Sequence, residues 1–372
     1  MKITIDRNDL LKALTHVQSV VEKRTTIPIL SNVLMTAESG QLKLTATDLD
    51  IEASDAAAAM IEQDGAITAP AHTLFDVVRK LPDGSSVRLA TDPERSLIVI
   101  EAGRSHFELH TLPASDFQPM GKDDAATRFD IATSDLKRLV DKTRFAISTE
   151  ETRYYLNGVY LHVADGEEGK VLRTVATDGH RLALAEIPAP KGSEGLDGVI
   201  VPRKAVAEMR RLIDSGEDKV TIEASDAKIT FRVGQAVLTS KLIDGSFPDY
   251  GRVIPKSNDR ILTVDNKVFE QAVDRVATVS GERSRSVKMT LAEDQVKLSV
   301  NHSETGAGEE EVEAQYGAEG LEIGFNARYL LDIAGQIEDA NAVFEFKDGA
   351  SPALVRDPKD PSARYVLMPL RV

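Results

Sequence analysis

Asp178 and His180 stand two residues apart in "ATDGHRL", and a carboxylate beside an imidazole is the pair that activates a nucleophile or moves a proton. No activated Ser or Cys accompanies them, and the chain contains no cysteine. A histidine in an Asp-Gly turn is more often structural, so the pair reads first as a turn, with a hydrolase centred on it as a rival. His106 and His110 share one face of a predicted strand but lack a third ligand at metal spacing, which leaves them as surface histidines. The stretch "GEEGK" from Gly166 to Lys170 has too short a spacer between its glycines for a phosphate-cradling loop, and Val171 stands where a hydroxyl is needed. It reads as an acidic hairpin turn. Nucleotide chemistry, thiolate metal sites and disulfides are therefore not expected. The remaining chemistry lies in charge and in apolar recognition.

The elements that position these residues recur. "MKITIDRNDLLKAL" from Met1, "TRFDIATSDLKRLV" from Thr127 and "RILTVDNKVFEQAV" from Arg260 each read as a strand running into a helix. "LKLTATDLD", "LRTVATDGH" and "VKLSVNHSE" form a second set, from Leu42, Leu172 and Val296. "APAHTLFDVVRKL", "VPRKAVAEMRRLI" and "FNARYLLDIAGQI" form a third, from Ala69, Val201 and Phe325. Taken in order, the sets define a unit of about 120 to 130 residues used three times, a domain-sized repeat. Apolar stripes at helical spacing run through Leu10, Leu14, Val17 and Val21, through Leu74, Val77, Val78 and Leu81, and through their counterparts. Between them, runs such as "SVRLAT", "KITFRV" and "AVLTSKL" alternate at period two. The expected fold class is α+β, three tandem copies of a domain with two helices laid on antiparallel sheet, with domains at 1–123, 124–256 and 257–372.

The net charge of −15 is unevenly spread. Six helical segments (9–24, 72–81, 135–144, 203–214, 267–279 and 328–338) hold 16 Lys and Arg against 11 Asp and Glu, or +5, which leaves −20 for the rest. The outer helix faces, with Lys12, Arg79, Lys80, Lys137, Arg138, Lys142, Lys204, Arg210 and Arg211, would form a common positive surface; alternatively these are simply good helix formers on solvated faces. Lys23 and Arg24 are expected at a helix end, where cations favour the last carbonyls. A row of three repeats leaves an unpaired sheet edge at each end, and a twofold dimer that joins first to third unit closes both. No apolar run reaches the roughly 20 residues that span a bilayer, and "MKITIDRNDL" lacks a signal core, so a soluble, cytoplasmic protein is expected.

The ordered motifs "RTTIPILSNVL", "TATDLD", "RYYLNG", "RTVATDGHRLA", "VIVPRK", "TSKLIDGSFPDY", "IGFNARYLLD" and "YVLMPLRV" resemble, over the whole length, the bacterial DNA polymerase III beta subunit, the beta sliding clamp family. The resemblance implies the DNA clamp fold: a head-to-tail homodimer of six domains, helices lining the bore, that encircles double-stranded DNA without base readout. It implies no catalysis and no cofactor. Implied partners are the replicative polymerase catalytic subunit, an ATP-using clamp loader and other clients that carry a short motif of the Gln-Leu-x-Leu-Phe type.

Matched motif by motif, the client pocket would include Leu156 from "RYYLNG" and Thr177, Gly179, His180, Arg181 and Leu182 from "ATDGHRL". Pro248, Arg252 and Val253 follow from "FPDYGRV", Asn326 and Tyr329 from "FNARY", and Val366, Leu367, Met368, Pro369, Leu370 and Arg371 from the terminus. The implied DNA-facing set is Lys12, Arg24, Arg79, Lys80, Lys137, Arg138, Arg203, Lys204 and Arg210, with Tyr154 and Tyr155 either touching duplex backbone beside Arg153 or serving as ordinary strand aromatics. Phe107 and Leu109 would meet Thr278 and Val279 at the dimer interface, and Glu309 to Glu311 would add ionic contacts there or form a solvated edge. Two positions depart from the family pattern: Ser284 where relatives carry an aromatic residue, and Glu150 where a neutral DNA-facing residue is familiar. In the terminal "YVLMPLRV", Tyr365 to Leu367 are expected as the last strand of the third repeat, and the tail from Met368 as pocket wall.

Overall fold

The apolar stripes fold as helices close to where their spacing places them. The computed structural model describes residues 1–121, 123–281 and 285–371. Its α-helices are α1 (Arg7–Gln18), α2 (Ala71–Lys80), α3 (Thr133–Asp141), α4 (Arg203–Leu212), α5 (Asn266–Ala277) and α6 (Ala327–Ala334). Strands run into helices with no connecting loop because the last strand residue is a cap. Asp6 accepts from the amides of Asn8 and Asp9, Asp265 from Val268, and Asn326 from Arg328. Each cap satisfies amides that the first helical turn leaves without partners. Before α2 and α4 the cap position is Pro70 and Pro202, and no side-chain cap forms.

By packing, the chain divides into two compact units. One comprises Met1–Lys137 with Pro190–Ile243, the other Arg138–Ala189 with Asp244–Val372. In the first unit one antiparallel sheet has the order 60–63, 2–6, 86–92, 97–102, 105–110. The other has the order 127–132, 219–224, 228–233, 236–241, 51–58, 41–47, 32–38, 65–70. The second unit orders its strands 158–166, 169–177, 181–188, 360–367, 353–357, 341–346, 260–265, 306–316, 295–302, 286–292, 321–326. The middle repeat is therefore divided. Val237 to Ser240 pair with Ser54 to Ile51 in the first unit, and Arg181 to Ala185 pair with Leu367 to Ala363 in the second. Hydrogen bonding between strands far apart in sequence outweighs the repeat boundaries that the motifs mark.

Cores lie between helices and sheet. Leu10, Ala13, Leu14 and Val17 of α1 are buried, as are Phe269, Ala272, Val273 and Val276 of α5. Each buried Leu, Val or Phe among them contributes about 2 kcal/mol by leaving water, and each Ala less. Arg7 is the exception among them: only 7% exposed, its guanidinium donates to Val78 O and Arg79 O at the end of α2 and pairs with Asp83. It thereby satisfies carbonyls that a helix end leaves open.

Three expectations change here. Helix α1 ends at Gln18, so Lys23 and Arg24 lie in the following loop rather than at a helix end, although Val20 and Val21 remain buried. Lys142, expected on an outer face, is 5% exposed, donates to Gln336 O and pairs with Glu338 at 2.7 Å. Tyr154 and Tyr155 sit in a 3-10 turn, Glu151–Leu156, rather than in a strand. "GEEGK" is the hairpin turn expected, closed by the pair Gly166 and Gly169.

Candidate functional site

The second unit gathers most of the expected pocket around a buried arginine. Thr177 Oγ1 accepts from Gly179 N at 3.1 Å and donates to Arg181 O at 2.6 Å, while Asp178 Oδ1 accepts from the amides of His180 and Arg181 at 2.9 and 3.0 Å. Gly179 has φ +86°, so the backbone favours glycine there, and an added Cβ would also displace the end of the Arg153 side chain. Arg181 is 7% exposed. It donates to Asp178 Oδ2, Asp332 Oδ2 and Phe145 O, with its guanidinium 4.3 Å from the Tyr329 ring centroid and 5.1 Å from that of Phe145. Both carboxylate oxygens of Asp178 thus serve the turn, accepting from the His180 and Arg181 amides and from the Arg181 guanidinium.

The C-terminal segment completes the site. Tyr365, Val366 and Leu367 are buried at the end of strand Asp360–Leu367, as expected of a last strand. Beyond it Met368 N donates to His180 O at 2.9 Å and Leu370 N to Gly324 O at 2.8 Å, which lays the tail between the Asp-Gly turn and the strand Leu321–Asn326. Met368 and Leu370 are 37% and 39% exposed, and Val253 is 37% exposed. His180 and Tyr329 stack at 6.4 Å, and burial pushes the Tyr329 hydroxyl pKa up. Leu156, Leu182, Val366 and Leu367 are instead interior, so they support the site from below. Leu182 and Val366 join Val175, Leu184 and Leu354 in one core cluster.

An anchor for the Pro248–Val253 wall is not legible from motifs alone. Tyr160 stacks on Phe247 at 4.8 Å and on His162 at 4.3 Å. His162 Nε2 meets Tyr250 Oη at 2.7 Å, and Arg173 donates to the same hydroxyl at 2.9 Å while pairing with Glu186. Burial drives the His162 pKa down to about 4, so its ring is neutral at neutral pH. The available signal was the same-face spacing of Tyr160 and His162 opposite an aromatic-rich "FPDY". On the rim, Glu150 holds Arg153 by two hydrogen-bonded contacts, the nearer at 2.7 Å. Ser284 lies outside the described residues.

The cations divide by environment. In the first unit Lys12, Lys23, Arg24, Lys80 and Arg203 are exposed and make no ion pair among the described residues. Arg79 pairs with Asp76, Lys137 with Asp214, and Arg211 with Glu208. Lys204 is tied to Asp48, Glu22 and Val20 O. Burial lowers its pKa, but the two carboxylates outweigh that and raise it overall. Arg210, only 14% exposed, pairs with Asp214, whose carboxyl is held below its usual range by hydrogen bonds from Arg210 and Lys137. In the second unit Arg138 is engaged by Asp360, Ser362 and Glu186 O. A free positive surface on the expected helices thus rests on fewer residues than the charge count implies.

Each unit has open sheet edges, and one in each carries the residues expected at the dimer interface. Strand Ser105–His110 pairs only with Leu97–Ala102, and it carries half-exposed Leu109 and Phe107, 38% exposed. In the second unit residues 306–313 pair on one side only, with 302–295. Thr278 caps the end of α5 beside Val279, Glu309 is held by Lys297 and Glu310 by Arg275.

Family models describe the same chain in three parts: the N-terminal domain of the DNA polymerase III beta subunit matches residues 1–121, the central domain 130–249 and the C-terminal domain 251–371. The chain belongs to the DNA polymerase III beta subunit family. The beta sliding clamp of Caulobacter vibrioides is 59% identical over 373 residues, and that of Escherichia coli K12 38% over 373, with 100% of both chains covered in each case. The solved structure of Caulobacter crescentus pol III beta superposes with a TM-score of 0.96 at 57% identity, covering 100% of both chains. A Bartonella birtlesii sliding clamp bound to griselimycin superposes with a TM-score of 0.97 at 51% identity, again covering 100% of both. As a beta-subunit chain, the molecule has three tandem clamp domains of mixed helix and antiparallel sheet, whose sheets run on from one domain into the next.

Proposed function

We propose that this chain is a DNA sliding clamp: a homodimeric ring that encircles duplex DNA, tethers the replicative polymerase and recruits other clients, without catalysis of its own. The observation that carries the reading is the full-length match to all three beta-subunit domain models on a structure in which strand 105–110 of the first unit and residues 306–313 of the second are each paired on one side only. A closed ring removes both edges, with Phe107 and Leu109 of one protomer meeting Thr278 and Val279 of its partner. The domains span 1–123, 124–256 and 257–372. DNA is held by topology, so sparse contacts from Lys12, Arg24, Lys80 and Arg203 to phosphates suffice and base readout is unnecessary. The chain works in the cytoplasm, and an external ATP-using loader opens the ring.

Clients dock on the surface made by His180, Pro248, Val253, Tyr329, Met368 and Leu370, supported from below by Leu156 and Leu182. An apolar groove with a few polar anchors fits a short linear motif, and weak peptide binding lets clients exchange. The griselimycin-bound relative supports a ligand-accepting site on this fold. The deciding experiment loads the chain onto nicked circular and linear DNA and measures retention in high salt. Stable retention on the circle with rapid loss from linear ends is expected; equal retention would sink the topological reading.

A further inference from the structure

A cleft of about 710 Å³ opens on the second unit between residues 249–258 and the hairpin joining strands Asn341–Phe346 and Ala353–Asp357. The client-pocket reading leaves most of it unexplained. Its wall is built: Asn258 Nδ2 donates to Glu345 O at 2.8 Å and to Pro352 O at 3.0 Å, tying the linker to the hairpin. Val253, Ile254 and Pro352 supply apolar lining.

The lining of the cleft carries three cations, Arg252, Lys256 and Lys347, against one carboxylate, Asp249. Lys256 and Lys347 are exposed and make no ion pair among the described residues. Of the neighbouring carboxylates, Asp249 is paired with Arg252 at 2.8 Å, while Asp348 accepts from the amides of Ala350 and Ser351 at 2.9 and 2.7 Å and keeps its negative charge beside Lys347. Two exposed ammonium groups without a close ion pair, beside apolar lining, suit an anion that arrives attached to something else, because an exposed cation alone gains little from pairing. The cleft is also continuous with the client surface, since Arg252 and Val253 line it and stand in the expected pocket wall.

We propose that this cleft takes an acidic segment flanking the apolar motif of a client peptide, with Lys256 and Lys347 as its contacts. The proposal rests on the client-pocket reading above and adds a charge preference outside the motif. Apolar anchors set the register, and the flanking acid adds affinity and a preference among clients that share the motif.

The test is fluorescence anisotropy on the full chain, with labelled Gln-Leu-Ser-Leu-Phe peptides extended at either end by a run of Glu or of Gln. At low salt one Glu-flanked peptide should bind about three- to tenfold more tightly than its Gln-flanked counterpart. Lys256→Gln with Lys347→Gln should erase that gain and leave the Gln-flanked affinity unchanged, and high salt should erase it too. No gain from either flank, or a gain that survives the double substitution, overturns the assignment and leaves the client pocket standing. Failure of every peptide to bind overturns both. If flanking acid has no effect but the double substitution weakens binding of a single-stranded oligonucleotide, the cleft is a nucleic-acid contact and the proposal falls.

Discussion

Gly179 and Arg181 show how little freedom the client surface has. At Gly179 a side chain meets both a left-handed backbone and the Arg153 guanidinium, so Gly179→Ala should cost about 1–2 kcal/mol and shift the Asp178–His180 turn that holds Met368. A lowered melting temperature together with weaker peptide binding checks this. His162 adds a pH dependence with a definite sign. Its pKa is lowered from 6.5 to about 4, so between those values the unfolded ring binds a proton that the folded one refuses. Stability should therefore fall as pH drops through that window, by up to about 3 kcal/mol from this group. Denaturant melts at pH 7 and pH 4.5 should show a smaller difference for His162→Gln. Motif matching found Gly179 and Arg181 because they sit in a contiguous string, but His162 and Tyr250 are 88 apart in sequence and meet only through folding. The burial of Lys142 was hidden for the same reason: its partners Gln336 and Glu338 belong to another repeat.

At the scale of elements, the last strand and the tail beyond it separate cleanly. Tyr365 to Leu367 are core, whereas Met368 to Leu370 hang on two backbone hydrogen bonds, with the Met368 and Leu370 side chains exposed. Deleting residues 368–372 should abolish binding of a Gln-Leu-Ser-Leu-Phe peptide while the native mass stays that of a dimer; unchanged peptide affinity would refute the assignment. Helices were legible as elements because Asp6 and Asp265 end a period-two run and begin a helical one, and that change of period is written locally. Their ends were less so. The apolar pattern continues through Val20 and Val21 although the helix stops at Gln18, since burial and helicity are separate demands. The helix cations divide likewise. Replacing Lys12, Lys80 and Arg203 by Gln should weaken binding to linear duplex DNA and lower the slope of log affinity against log salt by about 1 for each lost phosphate contact, whereas Lys142→Gln should act on stability. Titration at several salt concentrations distinguishes the two.

For the whole molecule, the open edge at Ser105–His110 carries the prediction. Phe107→Asp places a charge in the apolar part of the proposed interface and should convert a dimer to a monomer by native mass, with loss of retention on circular DNA. The threefold repeat was readable because its motifs return in order, but the division of the middle repeat was not, since strand partners distant in sequence leave no periodic trace. That division bears on how such a chain arises and comes apart. A middle repeat cut out alone would bare the strand 236–241 on one side and 181–188 on the other, two raw edges inviting aggregation. The piece that copying must preserve is therefore not one repeat but the seam between two, and heating should melt the chain by seams, as two cooperative blocks rather than three domains.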